Sequence, residues 1–185
     1  MSCEENDQSP HYNRGVNNKI AFVFSTPGKV EENDGKPVSG KTGDHLEALI
    51  NLLSEGEKNI FTYEDRYCYN ITNSYTEVLP NENKNRTEPL ISEVKSKDNI
   101  ERLKKELENI EDYIFFFGKR AMTSSFYLTG LKLKPKFVFS RHLSFQSINQ
   151  IDTDINGNIL KNGREDNTDK RLQIIAEHIR RQMCE

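Results

Sequence analysis

One glycine-rich stretch of the chain has the residue types and the order expected of a ligand-binding loop. An apolar segment, Ile20–Phe24, runs into Pro27 and Gly28, which disfavour both helix and strand. A polar loop with three further glycines follows, and then the leucine spacing of an amphipathic helix. The order strand, loop, helix presents backbone N–H groups where open α/β sheets bind anionic or polar ligands. The stretch matches neither GxGxxG nor GxxxxGK[ST], so it indicates no dinucleotide or P-loop site.

Polar side chains also follow two other apolar segments. Asn73 comes directly after the predicted strand Tyr67–Thr72, and His142 and Ser144 come shortly after the predicted strand Phe137–Ser140. An asparagine amide offers one acceptor and two donors, and a histidine ring can donate from one nitrogen. Because the carboxyl ends of parallel strands meet at one edge of a sheet, we expect these side chains to converge with the glycine-rich loop.

The elements that must position these residues alternate between strand and helix. Such alternation predicts a three-layer α/β/α sandwich with a central, mostly parallel four-stranded sheet. We expect a flexible N-terminal arm over residues 1–18, which are polar, and a single domain over residues 19–185. The remaining strands are predicted at Lys19–Ser25 and Tyr113–Phe117, and the main helices near Asp44–Glu55, after Asp98, after Gly118 and over Thr168–Met183.

The glycine-rich stretch resembles the first motif of the uracil-DNA glycosylase superfamily. Pro-Gly-Lys-Val-Glu-Glu, beginning at Pro27, and the later Gly-Lys-Pro-Val-Ser-Gly are similar to the Pro-Gly-x-x-Glu-Asp and Gly-Arg-Pro-Phe-Val-Gly of its iron–sulfur families. Ile-Thr-Asn ending at Asn73 resembles the family segment whose Asn reads the base edge. Arg-His-Leu-Ser-Phe resembles the second, His-Pro-Ser-like motif, with Leu143 in place of Pro.

The resemblance implies a glycosylase that flips a base out of DNA and hydrolyses its N-glycosidic bond. His142 would stabilise the leaving base and Glu31 would orient the attacking water. The implied base-binding residues are Asn73, Thr26, Pro27, Gly28 and Val38, and Ser144 and Phe145 of the second motif would contact DNA together with the basic residues Lys119, Arg120 and Arg141. No lysine stands out as a Schiff-base nucleophile, so a monofunctional enzyme without lyase activity is expected.

Three departures from the family pattern bear on these expectations. Ser25 and Thr26 stand where relatives carry a catalytic carboxylate or Asn, so activity is in question. Val38 replaces a Phe that stacks on the base, and loss of a stacking ring weakens base binding by roughly 1–3 kcal/mol, which favours either a different or bulkier base or weak catalysis. The cysteines that flank the Asn85-Arg86 loop in those families are absent, so no iron–sulfur cluster, metal or other cofactor is expected.

Basic residues are concentrated in one segment of a chain whose net charge is −3. Between Gly118 and Ile151 there are six Lys or Arg residues and no Asp or Glu. A local basic field is what a phosphate-contacting face requires, although a solvated surface cluster is the plain alternative. The segment therefore predicts a DNA-binding face.

Composition indicates the cellular location and the state of the cysteines. No apolar run is long enough to span a bilayer, and no signal-peptide core is present at the N-terminus, so we expect a cytoplasmic protein without membrane association. The three widely spaced cysteines are expected to be free thiols. We also expect a monomer, and the Asn- and Lys-rich composition hints at a bacterial or phage origin.

Two other functions remain open from sequence. A binding module on the same fold could hold a nucleotide, a free base or DNA without cutting it, because the first motif lacks its usual charged group. An unrelated flavodoxin-like domain, which would bind a coloured flavin, would also alternate strands and helices.

Overall fold

The computed structural model describes residues 8–56, 60–160 and 167–185, and within them a six-stranded sheet forms the centre of the protein. The strand order is β1-β2-β4-β3-β5-β6, with β4, β3, β5 and β6 mutually parallel. The mostly parallel α/β sheet is confirmed, but it has six strands rather than four. The strands are β1 (Gln8–Ser9), β2 (Tyr12–Asn13), β3 (Asn17–Phe24), β4 (Tyr69–Asn73), β5 (Tyr113–Phe117) and β6 (Lys136–Ser140).

The two additional strands lie in the segment expected to be a flexible arm. β1 and β2 form an antiparallel hairpin, and β2 pairs antiparallel with β4, with Tyr12 opposite Thr72. Asn13 donates from its side chain to the carbonyl oxygens of Tyr67 and Tyr69, at 3.0 and 2.8 Å. Residues 8–13 therefore belong to the sheet, and residues 1–7 of the expected arm lie outside the described residues. Two-residue strands are too short to show a hydrophobic period in sequence.

Helices cover both faces of the sheet, which gives the predicted three layers. The long helices α2 and α7 lie on one face, and α4 and α5 lie on the other. The helices are α1 (Lys29–Asp34), α2 (Lys41–Ser54), α3 (Ile91–Val94), α4 (Lys97–Leu107), α5 (Lys119–Ser125), α6 (Phe145–Ile148) and α7 (Thr168–Cys184).

Alternation along the central strands divides the core between those two faces. Phe22 and Phe24 of β3 point toward α2 and α7, whereas Ala21 and Val23 point toward α4 and α5. Phe24 stacks on Phe117 of β5 with ring centroids 5.0 Å apart. Each such buried ring stabilises the fold by roughly 1.5–3 kcal/mol, so the carboxyl ends of β3 and β5 are rigid supports for the loops that follow them.

Cysteines, the polar segment 152–169 and membrane association remain to be described. Cys184 is free and exposed, but Cys68 is disulfide-bonded, so the expectation of free thiols is wrong for Cys68. The polar segment 152–169 contains an antiparallel bridge between Thr153 and Ile159, and its residues 161–166 lie outside the described part. Among the described helices, none has the length and apolar character that crossing a bilayer requires.

Candidate active site

A cleft of about 1230 Å³ opens at the carboxyl edge of the parallel strands. The loops that follow β3, β4, β5 and β6 all contribute to its lining, as expected for an open α/β sheet. It brings together most of the predicted site residues, which are separated by more than a hundred positions in the chain: Thr26, Pro27, Gly28, Glu31, Val38, Asn73, Lys119, Arg141, His142 and Ser144. Arg120 and Phe145 are not in the lining.

Asn73 reaches the cleft from the last position of β4. Its residue surface is only 2% exposed, and its side-chain amide has no hydrogen-bond partner among the described residues. Its backbone is held on both sides, because its N–H donates to the carbonyl of His11 and its carbonyl accepts from Arg102. Because Asn73 lines the cleft, its side-chain amide is available to hydrogen-bond an occupant of the cleft.

His142 is held in one tautomer by its own loop. The backbone N–H of Ser144 donates to Nδ1 of His142 at 3.0 Å, so Nδ1 is unprotonated and Nε2 carries the proton of the neutral ring. Burial lowers the pKa of His142, while the charge of Glu88 raises it in part. The ring packs edge-on against Phe24 at 5.9 Å. A neutral imidazole with a free Nε2–H in this cleft can donate a hydrogen bond to a polar atom of a ligand.

The close packing behind His142 requires a glycine. Gly118 has a φ of +92°, and a Cβ built there would lie 3.1 Å from Cβ of His142. An alanine at this position would both adopt an unfavourable backbone conformation and press on the histidine. The turn from β5 into α5 therefore helps to set the position of the imidazole.

His45 is a positioning residue that the sequence analysis missed. It is the fifth residue of α2, is 7% exposed, and its Nδ1–H donates to the carbonyl oxygen of Leu143 at 2.7 Å. Leu143 itself is completely buried. The α2 helix thereby ties down the loop that carries His142. In sequence His45 precedes Leu46 on a helix with an apolar face, so it resembles an ordinary core histidine.

The side chains of the first motif make hydrogen bonds within the protein that the sequence analysis did not include. Glu31 lines the cleft, but its Oε2 accepts from the backbone N–H of Gly28 at 3.0 Å and so caps α1. The Thr26 hydroxyl donates to the carbonyl of Glu77. The Ser25 hydroxyl is buried and has no partner among the described residues. One carboxylate oxygen of Glu31 is thus engaged in stabilising its own helix.

Val38 enters the cleft lining from a strained backbone. Its φ is +45°, an outlier for a β-branched residue, and the residue is 4% exposed. Gly43 explains how the conformation is enforced, because a Cβ there would lie 1.8 Å from the Val38 carbonyl oxygen. The loop between α1 and α2 is therefore packed backbone against backbone. Strain of this kind is often found at ligand-binding sites.

The basic segment Gly118–Ile151 does not form one face. Lys119, Arg120 and Arg141 lie beyond the carboxyl ends of β5 and β6, on the side of the cleft. Lys132, Lys134 and Lys136 lie at the amino end of β6, at the opposite edge of the sheet. The expectation of a single basic face is wrong, because a strand carries residues close in sequence to opposite edges of a sheet.

Exposed and capping residues complete the second motif. Ser144 caps α6, its hydroxyl accepting from the backbone N–H of Ser147 at 3.4 Å. Phe145 is 58% exposed beside the cleft. Arg141 is exposed, and it donates to the carbonyl of Ser147 at 2.9 Å, which fixes its side chain near the cleft.

Glu88 is a second acidic residue of the cleft that the sequence analysis missed. Its carboxylate lies 3.3 Å from Nε of Arg120, the residue next to Lys119 in α5. Its carbonyl accepts from Nε of Arg86 at 3.0 Å. The signal was weak in sequence, because Glu88 lies in a polar loop without a strand end before it.

A family model matches residues 10–171 of the chain, described as the uracil DNA glycosylase superfamily. The chain belongs to the uracil-DNA glycosylase superfamily. The match covers the parallel strands and the residues of the cleft named above. A search of curated proteins finds no match. The alternative of an unrelated flavodoxin-like domain is therefore excluded.

Membership in the uracil-DNA glycosylase superfamily makes this a DNA glycosylase-like domain and indicates DNA as its class of partner. Within residues 8–56, 60–160 and 167–185, no group of three or more His, Cys, Asp or Glu side chains is arranged to hold a metal ion.

Proposed function

We propose that this uracil-DNA glycosylase superfamily member flips a uracil-like or modified base into its cleft and hydrolyses the N-glycosidic bond by direct attack of water. The observation that carries the proposal is that one cleft contains two side chains able to hydrogen-bond a ligand. The Asn73 amide lines the cleft without a protein hydrogen-bond partner among the described residues, and the free Nε2–H of His142 belongs to a neutral ring.

Asn73 is the base-reading residue in this proposal. An amide can donate to one exocyclic oxygen and accept from the adjacent ring N–H of a pyrimidine, which is a bidentate contact. Its fixed backbone supports such discrimination, because a rigid donor and acceptor lose little entropy on binding.

His142 is the residue that stabilises the leaving base. When the glycosidic bond breaks, negative charge develops on the base. A preorganised N–H donor in a site shielded from water stabilises that charge more than the ground state. The lowered pKa of His142 keeps the ring neutral near pH 7, so that it acts by hydrogen bonding.

DNA is held outside the base pocket in this proposal. Lys119, Arg120 and Arg141 would contact phosphates, and Phe145, an exposed ring beside the cleft, would fill the gap left in the base stack. The side chain of Val38 is smaller than a stacking ring, so the pocket favours a modified or bulkier base over an optimal fit to uracil.

The second candidate is a binding module that holds a base or nucleotide without cutting it. The observation that favours it is the state of the first motif. Ser25 and Thr26 carry no charge, the Thr26 hydroxyl is engaged by Glu77, and Glu31 caps α1.

One experiment separates the two candidates. Single- and double-stranded oligonucleotides carrying uracil, hypoxanthine or hypermodified bases are incubated with the protein, and abasic sites are then cleaved with alkali. We expect strand cleavage for at least one base, and loss of cleavage in Asn73→Ala and His142→Ala. Binding to a base-containing DNA without cleavage of any substrate would favour the binding module instead.

A further inference from the structure

The cleft contains two acidic residues, and they are differently engaged. Among its lining residues only Glu31 and Glu88 carry carboxylates. Glu31 has one oxygen committed to the N–H of Gly28. Glu88 makes no hydrogen bond of that kind, and its carboxylate faces the side chain of Arg120 at 3.3 Å.

A chain of contacts brings Glu88 to the same part of the cleft as His142. Gly118, against which the His142 side chain packs, is followed directly by Lys119 and Arg120 in α5. Arg120 is the ion-pair partner of Glu88. The charge of Glu88 also acts on the imidazole, since it partly offsets the effect of burial on the pKa of His142.

The loop that carries Glu88 is anchored from behind. Arg86 donates from Nε to the carbonyl of Glu88 and from Nη2 to the carboxylate of Glu93 at 2.6 Å. Lys84 forms a second ion pair with Glu93 at 3.0 Å. These contacts hold the backbone of Glu88 in place. Its half-exposed side chain therefore extends from a fixed position on the wall of the cleft.

We infer that Glu88 is a catalytic carboxylate of this site, facing the sugar of the flipped nucleotide. The inference rests on the proposed glycosylase function. Bond cleavage leaves the electron pair with the base and positive charge on the sugar. The carboxylate of Glu88 stabilises that cation and takes one proton from the attacking water, whose oxygen bonds to C1′. The departing base anion takes up a proton from solvent.

If Glu88 only neutralised a neighbouring charge, its replacement would have a different effect on DNA binding and on the reaction rate. If it served only to neutralise Arg120, its carboxylate would repel DNA phosphates, and Glu88→Gln would tighten DNA binding without slowing the reaction. As a catalytic carboxylate, Glu88→Gln slows single-turnover base release by roughly 10²-fold, the size of effect seen when one charge-stabilising group is removed.

The test uses a cationic sugar mimic, because it does not depend on knowing the base. The 185-residue chain is titrated with DNA containing a protonated pyrrolidine abasic analogue, and with the same DNA containing neutral tetrahydrofuran. We expect the wild-type protein to prefer the cationic analogue by about tenfold or more, as a charge-assisted hydrogen bond gives. Glu88→Gln should remove this preference.

Three matched variants make the result specific. Glu82→Gln removes an exposed carboxylate from the same loop and should keep the preference. Arg120→Gln removes a proposed phosphate contact and should weaken binding of both analogues alike, but it leaves the carboxylate of Glu88 in place and should keep the ratio between them. Glu31→Gln should keep most of it, because Glu31 is engaged as a helix cap.

The outcomes separate this inference from the proposed function. If Glu88→Gln retains the preference, or if wild-type protein binds both analogues equally, the role of Glu88 is overturned. If Glu88→Gln retains normal base release while His142→Ala abolishes it, the glycosylase function stands without Glu88. If no base is released from any substrate and the cationic preference is absent, both fail.

Discussion

Arg102 donates from Nη2 to the backbone carbonyl oxygen of Asn73 at 3.0 Å. The same guanidinium donates to Asn99 Oδ1 at 2.8 Å and forms an ion pair with Glu106. Its burial lowers the pKa of Arg102, and the nearby charge of Glu106 raises it in part. A buried charge network behind β4 thus fixes the backbone of the residue that we propose reads the base.

Replacing Arg102 by Met should be strongly destabilising. The carboxylate of Glu106, whose side chain is 12% exposed, would lose its arginine partner and keep the Thr72 hydroxyl donor and the His11 ring at 3.6 Å. Breaking a buried ion pair by removing one partner costs about 3–5 kcal/mol. Urea unfolding at pH 7 measures this decrease, and the double variant Arg102→Met with Glu106→Gln should recover part of it. A decrease below about 1 kcal/mol would show that the pair is solvated rather than buried.

Asn73 and His142 should contribute more than Glu31 to any base release. The leaving base becomes anionic, and these two side chains are the donors that can meet it in the cleft. Removing one such donor costs roughly 10²–10³ in rate, so Asn73→Ala and His142→Ala should each fall by that factor under single-turnover conditions. Glu31→Gln should cost less, because Gly28 already occupies one oxygen. Near-normal rates for both alanine variants, with Glu31→Gln inactive, would reverse this assignment.

The lowered pKa of His142 predicts a specific loss of stability in acid. The folded-state pKa lies below the ordinary value of 6.5, so the unfolded chain takes up a proton first as the pH falls. The contribution of neutral His142 is therefore fully present above about pH 6.5 and declines as the pH falls toward the folded-state pKa. Urea midpoints between pH 5 and 8 should show this slope, and His142→Gln should flatten it. An unchanged slope would place the pH dependence in another group.

The two halves of the basic segment should differ in their effect on DNA binding. Replacing Lys119, Arg120 and Arg141 by Ala should weaken binding and reduce the salt dependence of log K, by about 0.9 for each phosphate that the protein no longer neutralises. Replacing Lys132, Lys134 and Lys136 by Ala changes the net charge equally and should leave the salt slope unchanged. Fluorescence anisotropy at several salt concentrations measures both. Equal effects of the two triple variants would mean that the binding face extends beyond the cleft.

The loop that carries Glu88 should loosen in acid through Glu93. Burial raises the pKa of Glu93, but hydrogen bonds from Leu90 N–H, Lys84 and Arg86 outweigh it and lower the pKa to about 2. Because the folded-state pKa is depressed, the stabilisation is present above the ordinary value of 4.5 and is lost as the pH falls toward 2. The hydrogen-exchange protection factors of residues 84–94, which are corrected for the intrinsic pH dependence of exchange, should be lower at pH 3 than at pH 7. At pH 7, Glu93→Gln should show the same loosening and Glu82→Gln should not.

The sequence by itself determined the parallel core and the edge at which its polar residues meet. The apolar runs of β3 and β5, each flanked by polar residues, predict buried strands. The direction of the chain through the two other parallel strands then places Asn73 at the carboxyl end of β4 and His142 just beyond that of β6. The strand predicted over Tyr113–Phe117 has the same bounds in the structure. These features are local, because burial on both faces of a parallel sheet leaves a continuous apolar signature in the chain.

Only the tertiary structure decided which polar groups are engaged and which are free. His45 bonds to Leu143 across 98 positions, and Glu88 faces Arg120 from a loop with no regular pattern. Glu31 became a helix cap, and the basic residues at the two ends of β6 were carried to opposite edges of the sheet. Such pairings depend on distances between segments remote in sequence, and residue types and spacing carry no information about those distances. The same holds for the hairpin β1–β2, whose pairing with β4 uses backbone groups that every residue type shares, together with the Asn13 side chain, whose partner Tyr69 is remote in sequence.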